Sequence, residues 1–314
     1  MMGNIVSCVN NVLIFVLLVL PGFFAKRKNL ITGQHIDGLS SILVNFLWPA
    51  MVLDIMNSVQ VSARLIHITI YTGLCASVVY VAGALAALFY LKMRRMEQTV
   101  RGILAFSIVF NNTGFIGLPF IQTALGKEAG FAASIVEVVN DLFIYTLGIL
   151  LIQYGKSGHK TLDVKAMLSP GFLSVIVGLA IFLLDIPLPD CLGKALGYMG
   201  NATTAMAMFL VGAQLGEMKL ARLFREKYVF EIALFRLLLI PGVLLAVLRL
   251  LSPENSLPNQ VLVLMSCMPC ATCQAIFARQ YHLDYKLATA YVMTTTVLLM
   301  VTLPVWSAVV TVVF

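Results

Sequence analysis

The sequence is short of charge. Asp, Glu, Lys and Arg together make up 11% of its 314 residues, where a soluble domain carries about a quarter. A chain this poor in charge cannot cover a water-facing surface. With 60% hydrophobic residues, it reads as an integral membrane protein that is nearly all membrane domain. Histidine is also scarce: His35, His67, His159 and His282 fall in loops or at loop edges. There is no HExxH, GxSxG or DDxxD arrangement, so the usual zinc, nucleophilic-serine and paired-aspartate chemistries lack their residues. The sequence predicts no enzyme and no cofactor. Cys267, Cys270 and Cys273 have a spacing that invites a metal reading. No histidine lies nearby, and positions three apart drift around a helix that Pro269 disturbs, so small side chains for close helix packing account for them better. Basic residues outnumber acidic ones 21 to 14. In a soluble protein that excess would suggest nucleic acid; here it is read through loop topology, and no nucleic-acid partner is expected.

Long apolar runs dominate what remains. Ten stretches have the length a bilayer requires: residues 4–24, 39–56, 65–91, 100–125, 131–154, 170–184, 196–215, 228–251, 258–281 and 287–313. The first has no basic residue ahead of it, and Lys26, Arg27 and Lys28 follow it. That is the flank of a retained first helix starting outside, rather than of a signal peptide. Sixteen Lys and Arg residues fall in the odd-numbered loops, against four in the even-numbered ones (Arg64, Lys127, Lys194, Arg249), with Arg236 inside the eighth span. The bias places odd loops in the cytoplasm and both termini outside the cell. Residues 1–154 then form one five-helix half, 155–165 a cytoplasmic linker and 166–314 a second half. Five is an odd number, so two similar halves must lie in opposite orientations.

Two spans are interrupted. Phe110-Asn111-Asn112-Thr113-Gly114-Phe115-Ile116-Gly117-Leu118-Pro119 sits inside the fourth, and Ser266-Cys267-Met268-Pro269-Cys270-Ala271-Thr272-Cys273-Gln274 inside the ninth. Glycine and proline weaken a helix, and in lipid the freed backbone groups need internal partners or a cavity. Pro119 and Pro269 occupy corresponding places in the two halves, and paired interruptions point to a transporter's midplane site. The expected fold is all-α: ten transmembrane helices in two inverted five-helix repeats, with crossed broken helices at spans 4 and 9. Two ordinary proline kinks are the plainer alternative.

Asn111 to Pro119 resembles the signature of the auxin efflux carrier family, whose bacterial members include small organic-anion transporters. Leu43 to Ala50, Ala205 to Gly212, Met268-Pro269, Ala278 to Tyr281 and Leu287 to Thr289 extend the similarity over essentially the whole chain. The resemblance implies ten helices in two inverted repeats, a crossover at the prolines, a scaffold domain and elevator-type alternating access. The long hydrophilic central loop of the plant carriers is missing, which fits a bacterial-type member of the cell (inner) membrane and argues against auxin as substrate. The expected partners are a small organic anion, membrane lipid and a second copy of the chain in a homodimer. An indole-acid carrier, or a receptor with a transporter-like fold, is the alternative.

Several residues could carry the chemistry. Asn111, Asn112, Gly114 and Pro119 from one break, and Pro269, Thr272 and Gln274 from the other, would bind a carboxylate together with the two half-helix N-termini. Asn45, Thr203 and Thr204 could line the same cavity or simply pack helices, and the asparagines could instead satisfy broken backbone. Glu137 and Asp141 stand four apart on one face of span five, and Glu231 and Arg236 lie in span eight. These four form either a proton-coupling site or a structural ion-pair network.

Overall fold

The computed structural model describes residues 2–94, 96–154, 170–217, 226–252, 254 and 256–314. The predicted linker, 155–165, lies outside the described residues. We number the helices α1 (Met2–Arg27), α2 (Gly33–Asn57), α3 (Ala63–Met93), α4 (Gln98–Val109), α5 (Thr113–Leu125), α6 (Lys127–Ile152), α7 (Pro170–Leu183), α8 (Asp190–Glu217), α9 (Val229–Leu251), α10 (Ser256–Ser266), α11 (Cys273–Gln280) and α12 (Tyr285–Val313). Each predicted span contains helix. Among the described residues, five helices (α2, α3, α6, α9 and α12) are long and apolar enough on their own to cross a membrane, while α5 and α7 are shorter apolar helices.

Local chemistry sets the helix ends. Thr32 accepts from the backbone N–H of His35, whose ring returns a bond to Thr32, a reciprocal cap for α2. Ser62 caps α3 and Asp284 caps α12 in the ordinary way. Gly126, with φ 87°, supplies the left-handed turn between α5 and α6. Pro49, Pro119 and Pro241 each follow a widened π turn, at Leu43–Leu47, Thr113–Gly117 and Phe235–Leu239. A proline ring clashes with the carbonyl four residues back, and the widened turn relieves that clash. Where Pro241 frees the Leu237 carbonyl, the Trp306 indole donates to it at 2.7 Å.

Helix α3 shows the solvent for which the chain is built. Its outward stripe is Ile66, Ile70, Leu74, Val78, Val81, Leu85 and Phe89; its buried stripe includes Thr72, Ala76, Tyr80, Ala84 and Ala87. Large apolar residues face out, and small or polar ones make up most of the inward face. This inverts the soluble pattern and matches lipid-facing helices, whose interfaces favour small residues. The protein is a multi-pass membrane protein.

The helices pack in two groups. Helices α1, α2, α7 and α8 associate with one another, while α3 to α6 and α9 to α12 form the larger group around the two interruptions. Gly22 and Gly212 bring α1 and α8 into backbone contact: a methyl on Gly212 would lie 1.9 Å from the Val19 carbonyl oxygen, and one on Gly22 would lie 1.9 Å from that of Phe209. Gly171 and Gly178 let α2 side chains settle directly on the α7 backbone, where a methyl would meet the Trp48 ring at 2.1 Å and Met56 at 2.9 Å. With no hydrophobic drive between helices in lipid, such close approach is what holds the smaller group together.

Candidate functional site: the crossing of two broken helices

Helix α4 stops at Val109 because the chain turns extended, with Phe110 at φ −102° and ψ 136°. The second interruption, between α10 and α11, crosses it antiparallel. Asn112 N–H donates to the Pro269 carbonyl at 2.8 Å, Ala271 N–H donates to the Phe110 carbonyl at 3.2 Å, and Asn111 pairs with Cys270. Each break therefore satisfies the other's freed backbone, which a low-dielectric interior demands. Thr295 of α12 accepts from the Cys270 N–H at 3.1 Å.

The side chains at the crossing build it, face a cavity or, like Asn111, do both. Asn111 builds: its amide donates to the Met265 carbonyl at 2.5 Å, and its oxygen accepts from the Tyr80 hydroxyl at 3.2 Å. Gln274 builds too, accepting from Ser107 at 2.8 Å and donating to the Ala288 carbonyl at 3.4 Å. Arg236, 2% exposed, donates to the carbonyls of Ile108 (2.8 Å), Val109 (3.1 Å) and Ser266 (2.7 Å). Those carbonyls are the C-terminal ends of α4 and α10, where helix dipoles concentrate negative charge. A single guanidinium thus caps both, on the opposite side of the crossing from the N-termini of α5 and α11.

A cavity of about 480 Å³ lies between the two helix groups. Helices α2 and α8 contribute Asp37, Trp48, Gln214 and Glu217; the breaks and α6 contribute Asn111, Asn112, Thr113, Gly114, Thr272, Glu137, Asn140 and Asp141. Phe115, Ile144, Tyr145, Ile276, Val292 and Met293 give it an apolar and aromatic wall. Asn112 caps α5 by accepting from the Phe115 N–H at 3.2 Å, which leaves its amide nitrogen without a partner. Trp48 Nε1, Thr113 Oγ1, Glu137 Oε2 and Asn140 Oδ1 are likewise buried and unpartnered. No Lys, Arg or His is among the described residues that line it. Glu217 is met from outside by Lys26 at 2.6 Å.

The predicted residues therefore separate. Asn111, Asn112, Gly114, Thr272, Glu137 and Asp141 reach the cavity wall. Pro119, Pro269 and Gln274 belong to the frame. Asn45 is exposed and bonds back to Ser41 at 2.8 and 3.1 Å, and Thr203 donates to the Leu47 carbonyl at 2.8 Å. Glu231 does not meet Arg236: it takes Arg94 at 2.5 Å and a bond from Tyr90, while Arg236 spends its two terminal nitrogens on carbonyls. Sequence reasoning passed over Trp48, Thr113 and Asn140. The spacing of Asn140 from Glu137 was the available signal for one of them, since residues three apart share a helix face.

Comparison with known proteins identifies the family. The profile of the family described as Membrane transport protein matches residues 7–307. An uncharacterized transporter of Methanocaldococcus jannaschii is 27% identical over 94% of this chain and 96% of its own length. A putative malonate transporter of Rhizobium meliloti is 25% identical over 91% of each. The lysosomal cholesterol signaling protein of Mus musculus is 24% identical over 87% of this chain, which corresponds to 34% of the mouse protein. With its helices interrupted at one crossing and the family profile spanning nearly its whole length, the chain belongs to the Membrane transport protein family, that of the auxin efflux carriers, and is a membrane transporter rather than an enzyme.

Proposed function

We propose that the protein is a secondary active carrier moving a small organic anion, a mono- or dicarboxylate, by elevator-type alternating access. The observation that carries this reading is the meeting, in one cavity, of the α5 and α11 N-termini with the unpartnered Asn112 amide and Trp48 indole. Helix N-termini and neutral donors suit a carboxylate without needing a lysine. The name of the Rhizobium relative supports an organic anion. The position of the cavity between the two helix groups supports the elevator, in which the larger group would carry the site past α1, α2, α7 and α8. Glu137 and Asp141, with no basic residue among the described lining residues, require a compensating positive charge whenever an anion enters. Coupling to a cation or a proton follows from that requirement.

A thermal-shift screen of the purified protein against a carboxylate panel, followed by uptake of any hit into proteoliposomes, tests this reading. Stabilisation by carboxylates with saturable uptake and counterflow is expected. Stabilisation by cations or neutral solutes alone would remove the anion assignment, and binding without flux would favour a receptor. The aromatic wall of Trp48, Phe115 and Tyr145 favours, as a second reading, an acid with a ring such as an indole acid, so the panel includes both kinds.

The basic loops orient the carrier in the cell (inner) membrane with both termini outside. The cavity reaches Asp37 near the start of α2 and Glu217 at the end of α8, both beside such loops, and so opens toward the cytoplasm. A reporter fused at Phe314 that is active only in the cytoplasm should stay silent; an active fusion would overturn the ten-span topology.

A further inference from the structure

We propose that Thr113, Glu137 and Asn140 form a binding site for a sodium-type monovalent cation in the cavity wall, next to the anion-binding donors. The inference rests on the carrier reading only for its purpose. The site itself stands on three buried oxygens.

Thr113 Oγ1, Glu137 Oε2 and Asn140 Oδ1 have no hydrogen-bond partner, and their residues are 0%, 5% and 2% exposed. Buried polar atoms are nearly always paired, so three orphaned oxygens around one carboxylate call for a shared ligand. Thr113 and Asn140 are the polar side chains next to the Glu137 carboxyl. Glu137 also leans on the break itself, since a methyl on Gly114 would lie 2.5 Å from Glu137 Oε1. The three oxygens thus come from the first interruption and from the helix face that crosses it.

Oxygen chemistry selects the ligand. A hard cation takes hydroxyl, carbonyl and carboxylate oxygens together. A proton on Glu137 would also pair the group, with the carboxyl O–H donating to Asn140 Oδ1 and the Thr113 hydroxyl donating to the carboxyl, so the proton is the competing occupant that the test separates from a cation. A divalent ion asks for more carboxylates than the one in this cluster, whereas a single positive charge balances Glu137. The other charged groups around it are Asp141 on α6, Asp37 on α2, Glu217 on α8 with its Lys26, and Arg236 on α9. Arg236 is committed to carbonyls on the far side of the crossing, so it does not neutralise Glu137 by contact. The two orphaned donors, Asn112 Nδ2 and Trp48 Nε1, border the same space, and Trp48 Nε1 lies 3.6 Å from the methyl position on Gly114. Acceptors and donors side by side fit a cation and an anion bound together, each lowering the cost of the other.

The test uses the purified full-length protein with no organic anion, at constant ionic strength, with choline chloride exchanged for NaCl or KCl. The expected result is a saturable rise in the thermal midpoint with sodium, not matched by choline or potassium. Trp48 fluorescence should change with the same midpoint concentration, and that signal should vanish in Trp48→Phe. Glu137→Gln and Thr113→Val should each raise the sodium concentration needed at least tenfold, while Asn45→Ala, outside the cavity, leaves it unchanged. A wild-type midpoint that ignores sodium overturns the site, as does an undiminished sodium response in folded Glu137→Gln. A midpoint that follows pH and not sodium assigns a proton to Glu137 and also overturns it. The wild-type comparison needs no variant to fold. Because no anion is present, its failure leaves the carboxylate screen, and with it the carrier reading, untouched.

Discussion

Arg236→Leu is expected to abolish most of the folded protein. The guanidinium donates to three carbonyls at 2.7 to 3.1 Å, and hydrogen bonds to charged groups contribute about 1.5–3 kcal/mol each. Leucine would leave the ends of α4 and α10 facing each other with like partial charge and no donor. Breaking a buried charged contact by removing one partner costs roughly 3–5 kcal/mol. That is a large share of the ~5–15 kcal/mol that keeps a typical domain folded. Lysine keeps the charge but not the fork, so Arg236→Lys should fall between leucine and wild type. Glu231→Gln is the matched control. It breaks the pair with Arg94, whose side chains are 48% and 35% exposed, and such pairs contribute about 0–1 kcal/mol. Size-exclusion profiles and thermal midpoints in detergent decide the matter. An Arg236→Leu protein that melts close to wild type would show that the two helix ends do not depend on this clamp.

The contrast between Arg236 and Glu231 also marks what the sequence can disclose. Both sit in one apolar run, and residue type alone makes each an ionisable group in need of a partner. The partners lie far along the chain: Arg94 is 137 positions from Glu231, and Ile108 is 128 from Arg236. Only the packed fold shows that one is a rim ion pair and the other a helix cap. Local signals carried further. Glycine, proline and adjacent carboxamides located the first interruption and Pro269 the second, because their backbone effects do not depend on tertiary context. Asn45 misled for the same reason: its closeness to Pro49 suggests a break that opens inward, whereas the π turn there leaves the side chain outside, bonded to Ser41. Trp48, three residues on, is the one that turns in. Facing direction within a widened turn does not follow the 3.6-residue period, and period is what sequence reasoning relies on.

Asn111 and Asn112 look equivalent in sequence and should respond differently. Asn111 is fully engaged with Met265 and Tyr80, so Asn111→Ala should lower stability by about 1–3 kcal/mol through the groups it leaves unpaired. Asn112 has one committed atom, the oxygen that caps α5, and one free, the amide nitrogen in the cavity. Asn112→Ala removes both, costing about 0.5–2 kcal/mol for the cap. It also removes one bond to the anion, a roughly ten- to hundredfold loss of affinity. Asn112→Asp separates the two effects. Aspartate keeps the cap and the shape, and a carboxylate at a helix N-terminus is favourable, so the protein should fold as wild type does. It also replaces the free donor with a second negative oxygen in a cavity already holding Glu137 and Asp141. Anion binding should therefore fall further than in Asn112→Ala, despite the better-preserved helix. Thermal stability without ligand and the shift produced by a carboxylate hit measure the two effects on the same sample. If Asn112→Asp binds the carboxylate as tightly as wild type, the Asn112 amide is not the group that receives it, and the anion site must be sought along Trp48 and the α11 N-terminus instead.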